Sequence, residues 1–451
     1  MPGSRTDNTA EAVATGRRAA RGMGASSWLS LLFTDVGYAL GALVTSPIWL
    51  ARMVVTGKIK TDWPARCGRG ATIPASGRPR ILIHAVSVGE VNAIRGLVER
   101  LSADRLAPEV VISATTDTGF ARAKALFSDR HAVIRTPFDF SGFVGRWLGR
   151  VKPDLLVLVE LELWPNMMRL AERGGIPVVV VNGRLSDRSI VRYRQVHGLV
   201  HGMFARASTV LAQNETYASR FAELGARETL VSGNMKWDSI AIRDAVPGAD
   251  TLRAELGLPE GVPVVVAGST EPGEELLLRE ALPDGVRLVI APRKPEWWDG
   301  VAANLPGCVR RSRKERGGAD ARYYVLDTIG ELGMAYSFAD VVVMGRSFGK
   351  LYGSDPIEPA SLGKPVVIGP RVQDFKDVVA AFLSHGGIVQ CEASELREVL
   401  ARLCGDARER NAIAARARDT IRDEQGGSAR TAEVLLSMLS APSPSPAPAR
   451  A

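Results

Sequence analysis

Short apolar runs rich in β-branched residues recur along this chain, and amphipathic stretches separate them. ILIHAV (81–86), VVISAT (110–115), DLLVLVE (154–160), PVVVVN (177–182) and STVLAQN (208–214) form a first series. PVVVAGS (263–269), RLVIAP (287–292), YYVLD (323–327), DVVVMG (340–345), PVVIGP (365–370) and GIVQC (387–391) form a second. Runs without polar alternation are strands buried on both faces, and helical stretches such as 91–101 and 119–127 between them imply parallel crossovers. The pattern predicts an α/β chain with two Rossmann-like parallel-sheet domains, 61–238 and 239–439, joined near Pro247 and Gly248. In sheets of this kind ligands bind beyond the carboxyl ends of the strands, so a cleft between the domains is the expected site.

The flanks differ in character. Residues 1–26 are small, polar and Arg-containing, and 440–451 are rich in Pro, Ser and Ala, so both are expected to be disordered. Between 28 and 55 the chain is almost wholly apolar, Asp35 being its only acid, with Trp28, Tyr38 and Trp49 as interfacial candidates. This stretch makes 27–60 a membrane segment, with three forms open to it: a spanning helix, an interfacial amphipathic hairpin or a buried helix. Arg52, Lys58, Lys60, Arg66, Arg69, Arg78 and Arg80 follow, against the single acid Asp62. That basic collar suits anionic head groups and places the rest of the chain in the cytoplasm. The net charge of +8 comes with no nucleic-acid-binding motif, so nucleic acid is not an expected partner. Cys67, Cys308, Cys391 and Cys404 are far apart, and the five histidines show no metal-ligand spacing, so neither a disulfide framework nor a metal is expected.

Polar clusters fall just after the strands. SVGEV puts Ser87, Gly89 and Glu90 at a strand-to-helix turn, where two roles are open to Glu90: a helix-capping anion or a general base. TTDTG supplies Thr116. ELELWPN crowds Glu160 and Glu162, a costly pair unless used or partnered. NGRLSDRS adds Arg184, and SGNMKWD adds Asn234 and Lys236 near the link. In the second half GSTEPGEE places Ser269 in a turn, and APRKPEWW places Arg293 and Lys294 at a strand end as a phosphate clamp. TIGELGMAY opens a helix at Gly330, Glu331 and Leu332 with N–H groups suited to phosphate. The segment GRSFGKLYGSDPIEP carries Ser347, Asp355 and Glu358. Glu358 suits a ribose diol, while Asp355 reads equally as a helix cap.

Taken in order, SVGEV, TTDTG, ELELWPN, NGRLSDRS, GNMKWD, GST with its following EE, TIGELGMAY and GRSF…GSDPIEPASLGKPVVIGP…DF resemble the 3-deoxy-D-manno-octulosonic acid (Kdo) transferases. These are membrane-associated glycosyltransferases of the GT-B fold that move Kdo from CMP-Kdo onto a lipid A precursor. The resemblance implies an inverting, metal-independent transfer with Glu90 as base. It puts the acceptor near Ser87, Gly89, Thr116, Glu160, Glu162 and Arg184. It puts the donor near Asn234, Lys236, Ser269, Arg293, Lys294, Gly330, Glu331, Leu332, Ser347, Asp355 and Glu358. The chain departs from the family pattern at Lys294 and Trp297, where His and Arg are usual. It departs again at Ser354 and Asp355, where His and Asn are usual, and at Arg346, where Gly is usual. These departures, all in the donor half, leave open a different nucleotide-activated sugar or acceptor, or a non-catalytic relative.

Overall fold

The computed structural model describes residues 26–55 and 62–440. Apart from Ser26 and Ser440, the segments expected to be disordered lie outside the described residues, as do Lys58 and Lys60 of the basic collar. Seven parallel strands make the first sheet: β1 (Arg80–Ala85), β2 (Glu109–Ala114), β3 (Ala132–Arg135), β4 (Leu155–Val159), β5 (Val178–Gly183), β6 (Thr209–Ala212) and β7 (Thr229–Val231). Their order is β3-β2-β1-β4-β5-β6-β7. The second sheet comprises β8 (Val264–Thr270), β9 (Arg287–Pro292), β10 (Val309–Arg310), β11 (Tyr323–Val325), β12 (Val341–Met344), β13 (Val366–Ile368) and β14 (Val389–Gln390), ordered β10-β11-β9-β8-β12-β13-β14. Strand order reverses beside the first strand of each sheet, between β1 and β4 and between β8 and β12. At such a point the two crossovers leave in opposite directions and open a crevice at the strand ends.

The unbroken apolar runs are explained by burial on two faces. Leu82, Val111, Leu156, Leu158, Val178 and Val180 point into one core. Their neighbours Ile81, Ile83, Val110, Ile112, Leu155, Val157 and Val179 point into another. The period-2 pleat thus spends successive residues on opposite layers of helices. Three strands absent from the expectation, β3, β7 and β10, are edge strands or lie next to nothing on one side, so their residues are partly exposed and carry no continuous apolar signal. The single helix expected over 91–101 is two, Val88–Ala93 and Arg95–Ala103, broken at Ile94.

The chain forms two compact units. One runs through Ser239 and resumes at Gln425; the other is Ile240–Glu424. The sequence put all of 239–439 in the second domain, whereas the segment from Gln425 groups with the first unit. The last helix, Gly427–Ser440, packs Ala432, Leu435 and Met438 into the core of the first sheet with Ile94, Leu97 and Leu101. Asp238 fixes its start, accepting the Gly426 N–H at 2.7 Å and the Ser428 N–H at 2.6 Å.

The apolar N-terminal stretch is one continuous helix, Ser26–Val55, with Pro47 inside it, rather than a hairpin. It is not a buried helix either: Phe33, Leu43, Val44 and Ile48 are each at least 70% exposed. Only one side near its start is covered, by the first unit.

Candidate functional site

In the first unit the β1 turn carries Glu90. Ser87 caps helix Val88–Ala93, its Oγ accepting the Glu90 N–H at 3.4 Å. Glu90 reaches back over the same turn: Oε2 accepts the Val86 N–H at 2.8 Å and Oε1 the Ser87 hydroxyl at 2.8 Å. The side chain is 7% exposed. Burial, and then the charges of Glu160 and Glu162, push its pKa up to about 7 against the two hydrogen bonds. The capping role open at the sequence level is therefore present in the structure. Glu90 caps its own turn, and it is a carboxylate that takes or gives a proton near neutrality.

The other motif residues of this unit fall at neighbouring strand ends. Thr116 donates from Oγ1 to the Val86 carbonyl at 2.9 Å and caps helix Asp117–Phe127, tying the β2 turn to the β1 turn. Gly89 is exposed on the same surface, and Arg184 is half-buried beyond β5. Glu160 pairs with Lys236 at 3.4 Å, which resolves the cost of placing it near a second carboxylate. Glu162 accepts the Trp164 indole N–H at 3.1 Å, and burial raises its pKa. Asn234 accepts the Lys236 N–H at 3.0 Å. Lys236 and Asn234, expected on the donor, belong to the first unit and stand beside Glu160.

A residue that the sequence reading passed over, Asn182, organises this corner. It is fully buried at the end of β5, and its Oδ1 accepts the Met235 N–H at 3.0 Å. A polar residue closing an apolar run was the available signal.

In the second unit the switch-point strands β8 and β12 lead into the donor motifs. Gly345 touches β8 so closely that a Cβ there would lie 2.4 Å from Thr270 Cα. Beyond it the loop wraps a buried carboxylate: Glu274 accepts N–H groups from Glu271 (2.9 Å), Arg346 (2.8 Å), Ser347 (3.0 Å) and Phe348 (3.1 Å). That nest of amides is thus filled by the protein itself. Ser347 is a correction. It is fully buried, and its hydroxyl donates to the Met344 carbonyl at 2.6 Å and accepts the Gly369 N–H at 2.9 Å, so it ties β12 to β13. Glu331 is likewise committed, receiving Arg311 at 2.8 Å and the Thr328 hydroxyl.

What remains open at this edge is a different set. Arg293 is exposed at the end of β9, its backbone N–H bonded to the Thr270 carbonyl at 3.0 Å. Gly330 is exposed with φ +97°, ahead of helix Leu332–Ser337, whose first residue is half-buried. Glu358, in helix Ile357–Ser361, lies against that helix: a Cβ on Gly333 would sit 2.8 Å from its Oε1. Burial raises the Glu358 pKa, and Arg243 opposes the rise. Asp355 accepts the Ile357 N–H at 3.0 Å, as its capping reading requires. The charges of Glu358, Asp355 and Arg293 all act on the buried Tyr336 phenol, which brings these three motif residues together. Lys294 stacks over Trp297 at 4.8 Å, so two of the residues that depart from the family pattern partner each other.

Four non-glycine residues at strand ends hold left-handed backbones: Glu160 (φ +60°), Asn182 (φ +53°), Ser269 (φ +58°) and Arg346 (φ +61°). Strain of this kind sits at the carboxyl ends of β4, β5, β8 and β12, the edge where the motif residues fall. Among the described residues no group of three or more His, Cys, Asp or Glu side chains is arranged to hold a metal ion.

Comparison with known proteins follows the same outline. Residues 61–239 match the family model described as 3-deoxy-D-manno-octulosonic-acid transferase (kdotransferase). A 3-deoxy-D-manno-octulosonic acid transferase from Bordetella pertussis is 30% identical over 424 residues, covering 89% of this chain and 97% of that one. The enzyme of that name from Haemophilus influenzae is 31% identical over 326 residues, 70% of this chain and 76% of that one. Among solved structures, a glycosyltransferase from Rickettsia africae superposes with a TM-score of 0.58 at 12% identity, covering 81% of this chain and all (100%) of that one; it shares the fold.

Proposed function

The chain belongs to the 3-deoxy-D-manno-octulosonic acid transferase family, and from that premise we propose that it transfers Kdo from CMP-Kdo to a lipid A precursor in lipopolysaccharide synthesis. In the transfer an acceptor hydroxyl oxygen bonds to the anomeric carbon of Kdo as the bond from that carbon to the CMP phosphate breaks. The phosphate leaves with the electron pair, and the hydroxyl proton passes to Glu90. Attack opposite the leaving group inverts the anomeric centre through an oxocarbenium-like state. The observation that carries this reading is Glu90 itself: a carboxylate on the switch-point turn, with its pKa pushed up to about 7. A base so poised accepts a proton at cytoplasmic pH without being permanently blocked by one.

Ser87, Gly89, Thr116, Glu162 and Arg184 line the acceptor side in this reading, and the Glu160–Lys236 pair, with Asn234, orients the reacting sugars. On the donor side Arg293 holds the CMP phosphate with the Gly330–Leu332 turn, while Glu358 takes the cytidine ribose. Ser269, Lys294 and Asp355 shape the surroundings. The reaction runs without a metal, so a chelator leaves turnover unchanged. The N-terminal helix keeps the enzyme at the cytoplasmic face of the inner membrane, where a lipid acceptor is found.

The test is CMP release with CMP-Kdo and a tetraacylated lipid A precursor, for the wild type and Glu90→Ala. Turnover that disappears in the variant supports the proposal. Turnover only with another nucleotide sugar would replace the donor, and equal turnover in both proteins would remove Glu90 from the mechanism.

A further inference from the structure

Helix Ser26–Val55 has two sides of opposite character, and its polar side is not free. Asp35 accepts the Ser141 N–H at 2.9 Å and the Asn166 side-chain N–H at 2.8 Å, and also takes the Ser141 hydroxyl. Tyr38 donates to Asp139 at 3.0 Å, and Arg169 donates to Thr34 at 2.7 Å. Leu31 is buried at 2% exposure beside these contacts. Asp139 in turn accepts the backbone N–H groups of Asn166 (2.9 Å) and Met167 (2.8 Å), so the clamp is part of the folded unit. Residues 31–38 are therefore fastened to the globular domain, and Leu32, Phe33, Val36, Leu40, Leu43, Val44 and Ile48 look away from it.

The exposed part is built for hydrocarbon. Pro47 has no N–H to give the Leu43 carbonyl, and the Ser46 hydroxyl supplies that bond at 2.8 Å. Thr45 likewise donates to the Gly41 carbonyl at 2.7 Å. In water those groups would be hydrated; in lipid they must be satisfied within the helix. Trp63 and Phe138 are exposed side by side, ring centroids 6.1 Å apart, as interfacial aromatics would be. Charge points to the same neighbour: Arg69 is exposed on this segment, and the exposed Arg146 reaches it by donating to the Cys67 carbonyl at 2.8 Å, matching anionic head groups.

Length decides the orientation. Beyond the clamp, Ala39 to Val55 is roughly 17 residues, about 25 Å of helix, short of the ~30 Å hydrocarbon core. From Val55 the chain is back at Asp62, on the same unit, after about seven residue steps, a reach of at most ~25 Å. A crossing helix would leave Val55 on the far side and the returning backbone unsatisfied in lipid. We propose that this helix does not cross the bilayer but lies in the plane of an anionic leaflet, clamped to the first unit through Asp35 and Tyr38 with its apolar side in the acyl region. The proposal rests on the membrane association put forward above and specifies its form.

The test places one spin label at a time at Phe33, Leu40, Val44 and Ile48 of the full chain, its four cysteines replaced, in vesicles of phosphatidylethanolamine and phosphatidylglycerol. Comparing oxygen with nickel-chelate collision rates gives each label's depth. The expected result is shallow immersion at all four positions, none near the bilayer centre. Depth that increases steadily from Phe33 and passes the midplane by Ile48 would overturn the in-plane orientation while leaving membrane association standing. Labels that all report water would overturn both.

Discussion

At the scale of single residues, Glu90 sets stability against activity. Its carboxyl titrates near its ordinary value of 4.5 in the unfolded chain and at about 7 in the folded one, chiefly because it is buried. A raised acid pKa means that the folded state binds the proton more tightly, so the contribution is fully present below 4.5 and is lost as pH rises through about 7. At pH 8 the wild type therefore carries a buried anion that Glu90→Gln removes. We expect Glu90→Gln to raise the unfolding free energy at pH 8 by about 2 kcal/mol in urea titrations, a gain that vanishes at pH 4. CMP release should fall roughly a thousandfold in the same variant. For the wild type, kcat/KM should climb tenfold per pH unit below about 7 and level off above it. Arg346 gives the second test at this scale. Its left-handed backbone (φ +61°) is one that glycine adopts freely, and its ion pair with Asp374, at 3.6 Å, is half-exposed. Arg346→Gly should stabilise the protein by about 0.5–1 kcal/mol in the same titration, because relief of strain outweighs a weak ion pair. Local geometry was legible where a strand runs straight into a helix, as at the capped turn that holds Ser87 and Glu90. It was not legible at Ser347, because a serine after a glycine turn reads alike whether it faces a ligand or bonds the Met344 carbonyl and the Gly369 amide.

At the scale of elements, the loop after β12 depends on Glu274. Four backbone N–H groups converge on this one buried carboxylate, three of them from residues 346–348. Glu274→Ala strands those donors in the interior and should destabilise the second unit by about 3 kcal/mol. Hydrogen exchange should accelerate first at the amides of Arg346, Ser347 and Phe348; unchanged protection there would mean that the loop holds itself. The sequence showed the EE pair as a motif but not three of the four partners of Glu274, which lie 72 to 74 residues away. The same limit separates strands that were read from strands that were missed. Ile81–Ala85 and Val264–Ala267 are buried on both faces and announce themselves, whereas β3 has one neighbour and half-buried residues throughout.

For the whole molecule, the unexpected fact is that the first unit is closed by the last helix. Both sheets and their order of elements were legible, since alternation of buried strands and helices is a local pattern. Membership of Gly427–Ser440 was not, because it rests on contacts such as Asp238 with Gly426 and Ser428, 188 and 190 residues apart. Truncation after Glu424 should therefore expose β1 and β2 to hydrogen exchange while β8 and β9 stay protected; the opposite pattern would assign the helix to the second unit.

That helix also fixes a timetable. A ribosome delivers the β1 turn with Glu90 early, but Ala432, Leu435 and Met438, which fill the core beside it, are made last. The second unit, Ile240–Glu424, is complete while the first still waits for its closing piece. A chain cut short by premature termination or proteolysis before Gly427 keeps the whole second unit but leaves the core beside the β1 turn unfilled.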